Sequence, residues 1–222
     1  MPNAPALQKD SVIGDATWLR HAYGFPPQSC VCVAVGRLVW AKGYPHLIRA
    51  IAKSSNRNLC CIIVGEGSKR RELHALINNL QIHDRVILAG FKPSEQVHRI
   101  VKSADLFVMP SLSEGTPISL MEAAMLGSPI VATRAGGIPE ILEDNKHARL
   151  VEPGNETQLI QAIEYLLKHP RVAEDQAAKA QRHITDHFGT EPQRKATEAA
   201  YEKAIEVAGR KKDLSGNEGI LS

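Results

Sequence analysis

The stretch ADLFVMPSLSEGTPISLMEAAMLGSPIVAT, residues 104–133, holds two periodicities side by side. DLFVMP and PIVAT at its two ends are short β-rich apolar runs. Between them PISLMEAAMLG has helical spacing, with proline at its start and glycine at its end. A strand, a helix and a second strand in this order are the building unit of a parallel sheet covered by helices.

The same alternation extends both ways along the chain. Upstream, CVCVAV is followed by YPHLIRAIAKS, LCCIIVG by SKRRELHALINNL, and RVILAG by SEQVHRIVKS. Downstream, PIVAT is followed by IPEILED, and RLVEPG by ETQLIQAIEYLLKH, where Leu159, Ile160, Ile163, Leu166 and Leu167 make one apolar face. Six such units predict an α/β fold: a single Rossmann-like domain over residues 28–190, with a parallel sheet and flanking helices. Residues 1–27 read as a weakly structured N-terminal segment with one helical turn around Trp18 and Leu19. Helical stretches follow at 172–187 and 191–208 with no strand after either, and residues 209–222, polar and glycine-containing, read as a disordered tail.

Composition narrows the function. With 222 residues, 43% hydrophobic and 23% charged, the chain can bury a sizeable core. The net charge of +3 comes from scattered lysines and arginines, which favours small anionic ligands and gives no nucleic-acid stripe. No run reaches the roughly 18 apolar residues of a membrane span, and the N-terminus lacks a signal pattern. A cytoplasmic protein is expected, and peripheral membrane association is compatible with it. Cys30, Cys32, Cys60 and Cys61 lie inside two strands and read as small core residues, because Cys-x-Cys and Cys-Cys lack zinc spacing. No metal site is expected.

In an open parallel sheet, ligands bind beyond the carboxyl ends of the strands. Three loops there stand out. GRLVWAKG places Arg37 and Lys42 between Gly36 and Gly43, where a guanidinium and an ammonium can grip a diphosphate. It is not a Walker loop, and without Gly-x-Gly-x-x-Gly after the first strand a nicotinamide site is disfavoured. VGEGSKRRE offers Gly65 and Gly67 for a turn, Ser68 as a helix N-cap and Glu66 toward the ligand edge. SEGTPIS joins Gly115, which allows an unusual backbone, to Pro117 at the first helical position. The amides of Ile118 and Ser119 would then face an anion.

Two acids flank that corner, Glu114 and Glu122. Carboxylates repel phosphate, so each must meet something neutral and rich in hydroxyls, such as a sugar on one side and a ribose on the other. Other readings of the pair stay open: the acid and base of a glycosidase, or a helix-start acid beside a surface acid.

GRL with KG, VGEG, VILAGF, residues 104–133 and AGGIPEIL together resemble the C-terminal half of the family 4 retaining glycosyltransferases of the GT-B fold, from about residue 30 to 190. The resemblance makes the chain one half of a GT-B architecture, and Glu114 and Glu122 its E-x7-E element. It implies that Glu114 and the backbone at Thr116 hold the donor sugar and that Glu122 holds the ribose. Arg37, Lys42 and the amides of Ile118 and Ser119 would bind the diphosphate, while the backbone near Phe91 lines the base pocket. Arg37, Lys42 and Glu114 are the residues expected to carry catalysis. The substrate implied is a UDP-sugar or GDP-sugar, with no cofactor, and no Asp-x-Asp is present to hold a metal.

About 28 residues precede the first strand, too few for the acceptor domain of such enzymes. An acceptor-domain protein or a missing N-terminal half is therefore expected as partner, and the chain alone is expected to transfer little. Ala148 occupies a place often taken by glycine. The rival reading is a non-catalytic nucleotide-sugar-binding or scaffold module.

Overall fold

In the computed structural model residues 12–188 are described; the expected helix at 191–208 and the expected tail at 209–222 lie outside them. Six parallel strands form one sheet: β1 (Cys30–Val35), β2 (Leu59–Val64), β3 (Val86–Gly90), β4 (Leu106–Met109), β5 (Ile130–Thr133) and β6 (Arg149–Val151). Their spatial order is β3-β2-β1-β4-β5-β6, so the direction in which successive strands are laid down across the sheet reverses between β1 and β4. That junction is the crevice where doubly wound sheets hold nucleotides. The Rossmann-like reading of the sequence holds.

Side chains alternate across the sheet as period-2 geometry demands. Val31, Val33, Cys60 and Ile62 point to one core, and Cys32, Ala34, Cys61 and Ile63 to the other. The first core is closed by α1 (Ala16–Ala22), α4 (Ser94–Ser103), α5 (Ile118–Met125), α6 (Ile138–Ile141) and α8 (Pro170–Phe188). The second is closed by α2 (Tyr44–Lys53), α3 (Arg70–Asn79) and α7 (Glu156–Lys168). Leu159, Ile163 and Leu166 of α7 are buried, while Ile160 and Leu167 flank them half-buried. The four cysteines are free thiols in β1 and β2.

Residues 1–11 of the expected N-terminal segment lie outside the described residues, and the rest of it holds the two-turn helix α1. Asp15 caps α1 by accepting the Trp18 amide at 2.9 Å, Leu19 is fully buried, and Arg20 pairs with Asp105 at 2.7 Å. The same Asp105 carboxylate accepts the Val31 amide at 2.6 Å, so α1 is tied to the starts of β1 and β4. IPEILED, read as a helix, yields only the single turn of α6 before Leu142 becomes extended. Ser68 does not cap α3; Lys69 takes that position, its amide bonded to the Leu38 carbonyl at 2.9 Å. Among the described residues no helix is long and apolar enough to cross a membrane.

A histidine stack pins α8 to the body. His147, 3% exposed in the loop before β6, meets His183 with ring centroids 4.5 Å apart, and His183 meets His187 at 4.6 Å. Burial pushes His147 and His183 down, helped by His183 beside the first and His187 beside the second; Lys146 and Lys179 also lower His147 while Glu143 raises it. The unfolded chain then binds more protons as pH falls below about 6.5, so stability declines there. The melting temperature should fall between about pH 7 and pH 5, and less steeply in His183→Gln. A pH-independent difference between the two proteins would contradict this.

Candidate functional site

Two loops meet across the β1–β4 junction. The loop after β1 runs through Gly36 and Arg37 to a one-turn 3-10 segment, Trp40–Lys42, and the loop after β4 carries residues 110–117 to α5. They are joined by main chain: the amides of Leu112 and Ser113 both bond to the Ala41 carbonyl, at 2.7 and 3.3 Å. Gly43 makes this approach feasible. Its φ of +65° is left-handed, and a Cβ there would lie 2.0 Å from the Pro110 carbonyl oxygen.

At the centre, Lys42 Nζ donates to Glu114 Oε1 at 2.6 Å, and Ser111 Oγ donates to the same oxygen at 2.6 Å. The Glu114 side chain is only 6% exposed and that of Lys42 20%. Ser111, fully buried, is itself placed by Thr133 of β5, whose hydroxyl donates to the Ser111 carbonyl at 2.5 Å. Beneath them the phenol of Tyr44 is buried; that burial, with the Glu114 charge nearby, pushes it well above the usual tyrosine range and keeps it protonated. Ser111, Thr133 and Tyr44 escaped the sequence reading because an isolated hydroxyl in a strand or loop carries no pattern.

The start of α5 differs in detail from the expected one. Pro117 is the N-cap rather than the first helical residue, and the Ile118 amide bonds back to the Thr116 carbonyl at 3.0 Å as an inverse γ-turn. Of the two amides assigned to an anion, Ser119's therefore has no backbone acceptor among the described residues, whereas Ile118's is engaged. Ser119 Oγ donates to the Val35 carbonyl at 3.2 Å, tying α5 to the end of β1. Gly115 has no left-handed φ and open space around it. The strained glycine is instead Gly136 after β5, whose added Cβ would lie 1.7 Å from the Glu114 carbonyl oxygen.

Arg37 is exposed and makes no ion pair among the described residues. Glu122 lies a turn into α5, 24% exposed, with His98 Nε2 of α4 at 3.6 Å. Phe91, 74% exposed, follows β3, two strands and so roughly 10 Å from β1. Beside it Glu66 pairs with Arg70 at 3.0 Å. The structure thus brings Lys42, Glu114 and Ser119 to one junction with Thr116 in the same loop, and sets Glu122 against α4, the helix that follows Phe91. Trp40, Phe91 and Ile118, three of the four exposed large apolar residues described, all follow strand ends on this edge. Such a rim is suited to being covered.

Two hollows flank this junction: one of about 380 Å³ beside Trp40, lined by Val39, Tyr44, Leu73 and Leu76, and a polar one of about 430 Å³ at β6, lined by Arg134, Arg149 and Tyr165. Neither includes Arg37, Lys42, Glu114 or Glu122. Among the described residues no cluster of three or more His, Cys, Asp or Glu side chains is placed to hold a metal ion.

Comparison with known proteins adds a family. The model described as "Glycosyl transferases group 1" matches residues 17–183. The 2-deoxystreptamine glucosyltransferase of Streptomyces kanamyceticus is 25% identical over 190 residues, 84% of this chain and 49% of the relative. The crystal structure of Anabaena HepE in complex with UDP-glucose is 27% identical with a TM-score of 0.75, covering 84% of this chain and 52% of that one. The C-terminal domain of the group 1 protein LpcC from Francisella tularensis shares the fold, at a TM-score of 0.72 and 20% identity over 82% of this chain and 97% of that domain. The chain spans about half the length of the curated relatives it matches.

Proposed function

Because the chain belongs to the group 1 glycosyl transferases, we propose that it is the donor-binding half of a retaining, metal-independent glycosyltransferase that moves a sugar from a nucleoside diphosphate to an acceptor hydroxyl. The observation that carries this reading is the Lys42–Glu114 pair at the β1–β4 junction, a cation and a carboxylate held together where a doubly wound sheet binds its ligand. When a donor enters, Lys42 turns to the diphosphate and Glu114 is freed to accept from the sugar hydroxyls.

Arg37, exposed and without an ion pair among the described residues, and the Ser119 amide take the remaining phosphate charge, and Glu122 takes the ribose. The acceptor oxygen attacks the anomeric carbon on the face the diphosphate leaves. As that carbon–oxygen bond breaks, the acceptor's proton passes to the departing phosphate oxygen. Arg37 and Lys42 offset the charge that develops there, so no metal is needed in the step. The acceptor would be held by a second domain or partner protein covering the rim marked by Trp40, Phe91 and Ile118. A cytoplasmic location fits a soluble nucleotide-sugar donor.

HepE was solved with UDP-glucose, which makes UDP the first ligand to try. Thermal unfolding of the chain with EDTA present should show one of UDP, GDP or ADP, or its sugar conjugate, raising the melting temperature. At about a hundred times its dissociation constant a ligand adds roughly 2.7 kcal/mol. Arg37→Ala should lose most of that shift. A shift that needs added divalent metal, or that Arg37→Ala leaves whole, would sink this reading.

A further inference from the structure

His98 is an outlier among the side chains of α4. It is 8% exposed, sits with Ile100 and Val101 on the face turned to the core, and its Nε2 atom is sealed from solvent with no hydrogen-bond partner among the described residues. A buried ring nitrogen without a partner is unfavourable, and native structures rarely keep one without use. The acidic atom facing it is Glu122 Oε1 of α5, 3.6 Å away, and a shift of about 0.6 Å would bring the two within ordinary bonding range.

We propose that His98 is a positioning residue for the nucleotide's ribose: its buried Nε2–H holds Glu122 Oε1, so that the carboxylate presents its other oxygen to two vicinal hydroxyls. The inference rests on the reading of Glu122 as the ribose acceptor. A carboxylate on a helix has free rotation about its terminal bond and gains little from meeting a diol unless something fixes its plane. A donor sealed in the core fixes one oxygen without competing for the ligand, as outer-shell partners orient metal ligands. Leu120, Met121 and Ala123, all buried, hold that part of α5 in place, so the adjustment falls on the Glu122 side chain.

The test is calorimetric titration of the whole chain with UDP, GDP and ADP, and with the 2′,3′-dideoxy form of each. The wild type should prefer the ribose form by about tenfold or more, the scale of a hydrogen bond to a charged group, and Glu122→Ala should abolish that preference. His98→Leu should cut the preference at least about threefold with affinity for the dideoxy form unchanged. His98→Gln, whose side-chain N–H reaches the same place, should restore most of it. In the Glu122→Ala background His98→Leu should add nothing to the loss. If His98→Leu weakens both forms alike, or leaves the preference intact while Glu122→Ala removes it, the positioning role is wrong and the ribose site stands. If Glu122→Ala keeps the preference, or the wild type has none, the ribose reading fails and the inference with it.

Discussion

Lys42→Ala is expected to lower affinity for a nucleoside diphosphate by about a hundredfold and to destabilise the ligand-free chain by about 3 kcal/mol. Both effects come from one place. In the free chain Lys42 neutralises Glu114, whose side chain is 6% exposed, and without it the only donor on Glu114 Oε1 among the described residues is Ser111. Removing one partner of a shielded ion pair leaves the other charge buried and uncompensated, which costs more than the pair itself was worth. Glu114→Gln added to Lys42→Ala should therefore recover most of the stability, measured by urea unfolding, and none of the binding. If stability returns only when Lys42 is restored, the loss comes from packing of the lysine stem and the charge argument fails.

Gly43→Ala should be at least as disruptive to the fold, by more than about 3 kcal/mol, or roughly 10 °C in melting temperature for a chain of this size. The residue sits at φ +65°, between the Lys42 turn and α2, and its new methyl would be driven to 2.0 Å from the Pro110 carbonyl oxygen. Relief requires the loops after β1 and β4 to separate, which pulls Lys42 from Glu114. Gly24→Ala is the matched control: a similar left-handed φ, +68°, but nothing within 4 Å among the described residues, so only the conformational cost of about 1–2 kcal/mol remains. Equal losses at the two positions would show that the close approach at Gly43 is immaterial.

The sheet was legible because strand and helix periodicities differ and because buried parallel strands read as unbroken apolar runs. LCCIIV at β2 is buried at all six positions, and SEQVHRIVKS became α4 over the very residues quoted. What the residue pattern could not supply was tertiary. Asp105 looks like a strand-flanking polar residue, and only the fold shows that it anchors Arg20 and so orders the N-terminal helix. Gly115 and Gly136 look alike in sequence, yet only Gly136 has a left-handed φ and the Glu114 backbone against it. The E-x7-E spacing named Glu114 and Glu122, but not their partners: Lys42 lies 72 residues from Glu114 in sequence, Ser111, though only three residues away, carries no pattern of its own, and His98 sits on a neighbouring helix. Ala148 takes the place where glycine was anticipated at no backbone cost, since the left-handed non-glycine residues described are Gln81 and Asn145.

The most direct measurement is a crystal structure of the chain soaked with UDP, and with GDP or ADP if those raise the melting temperature more. The nucleotide should lie across the β1–β4 junction, with Lys42 Nζ moved from Glu114 Oε1 onto the diphosphate and Arg37 beside it, and with the ribose at Glu122. A nucleotide seated instead in the hollow beside Trp40 or at β6, with the 2.6 Å Lys42–Glu114 bond intact, would contradict the assignment of this junction as the donor site.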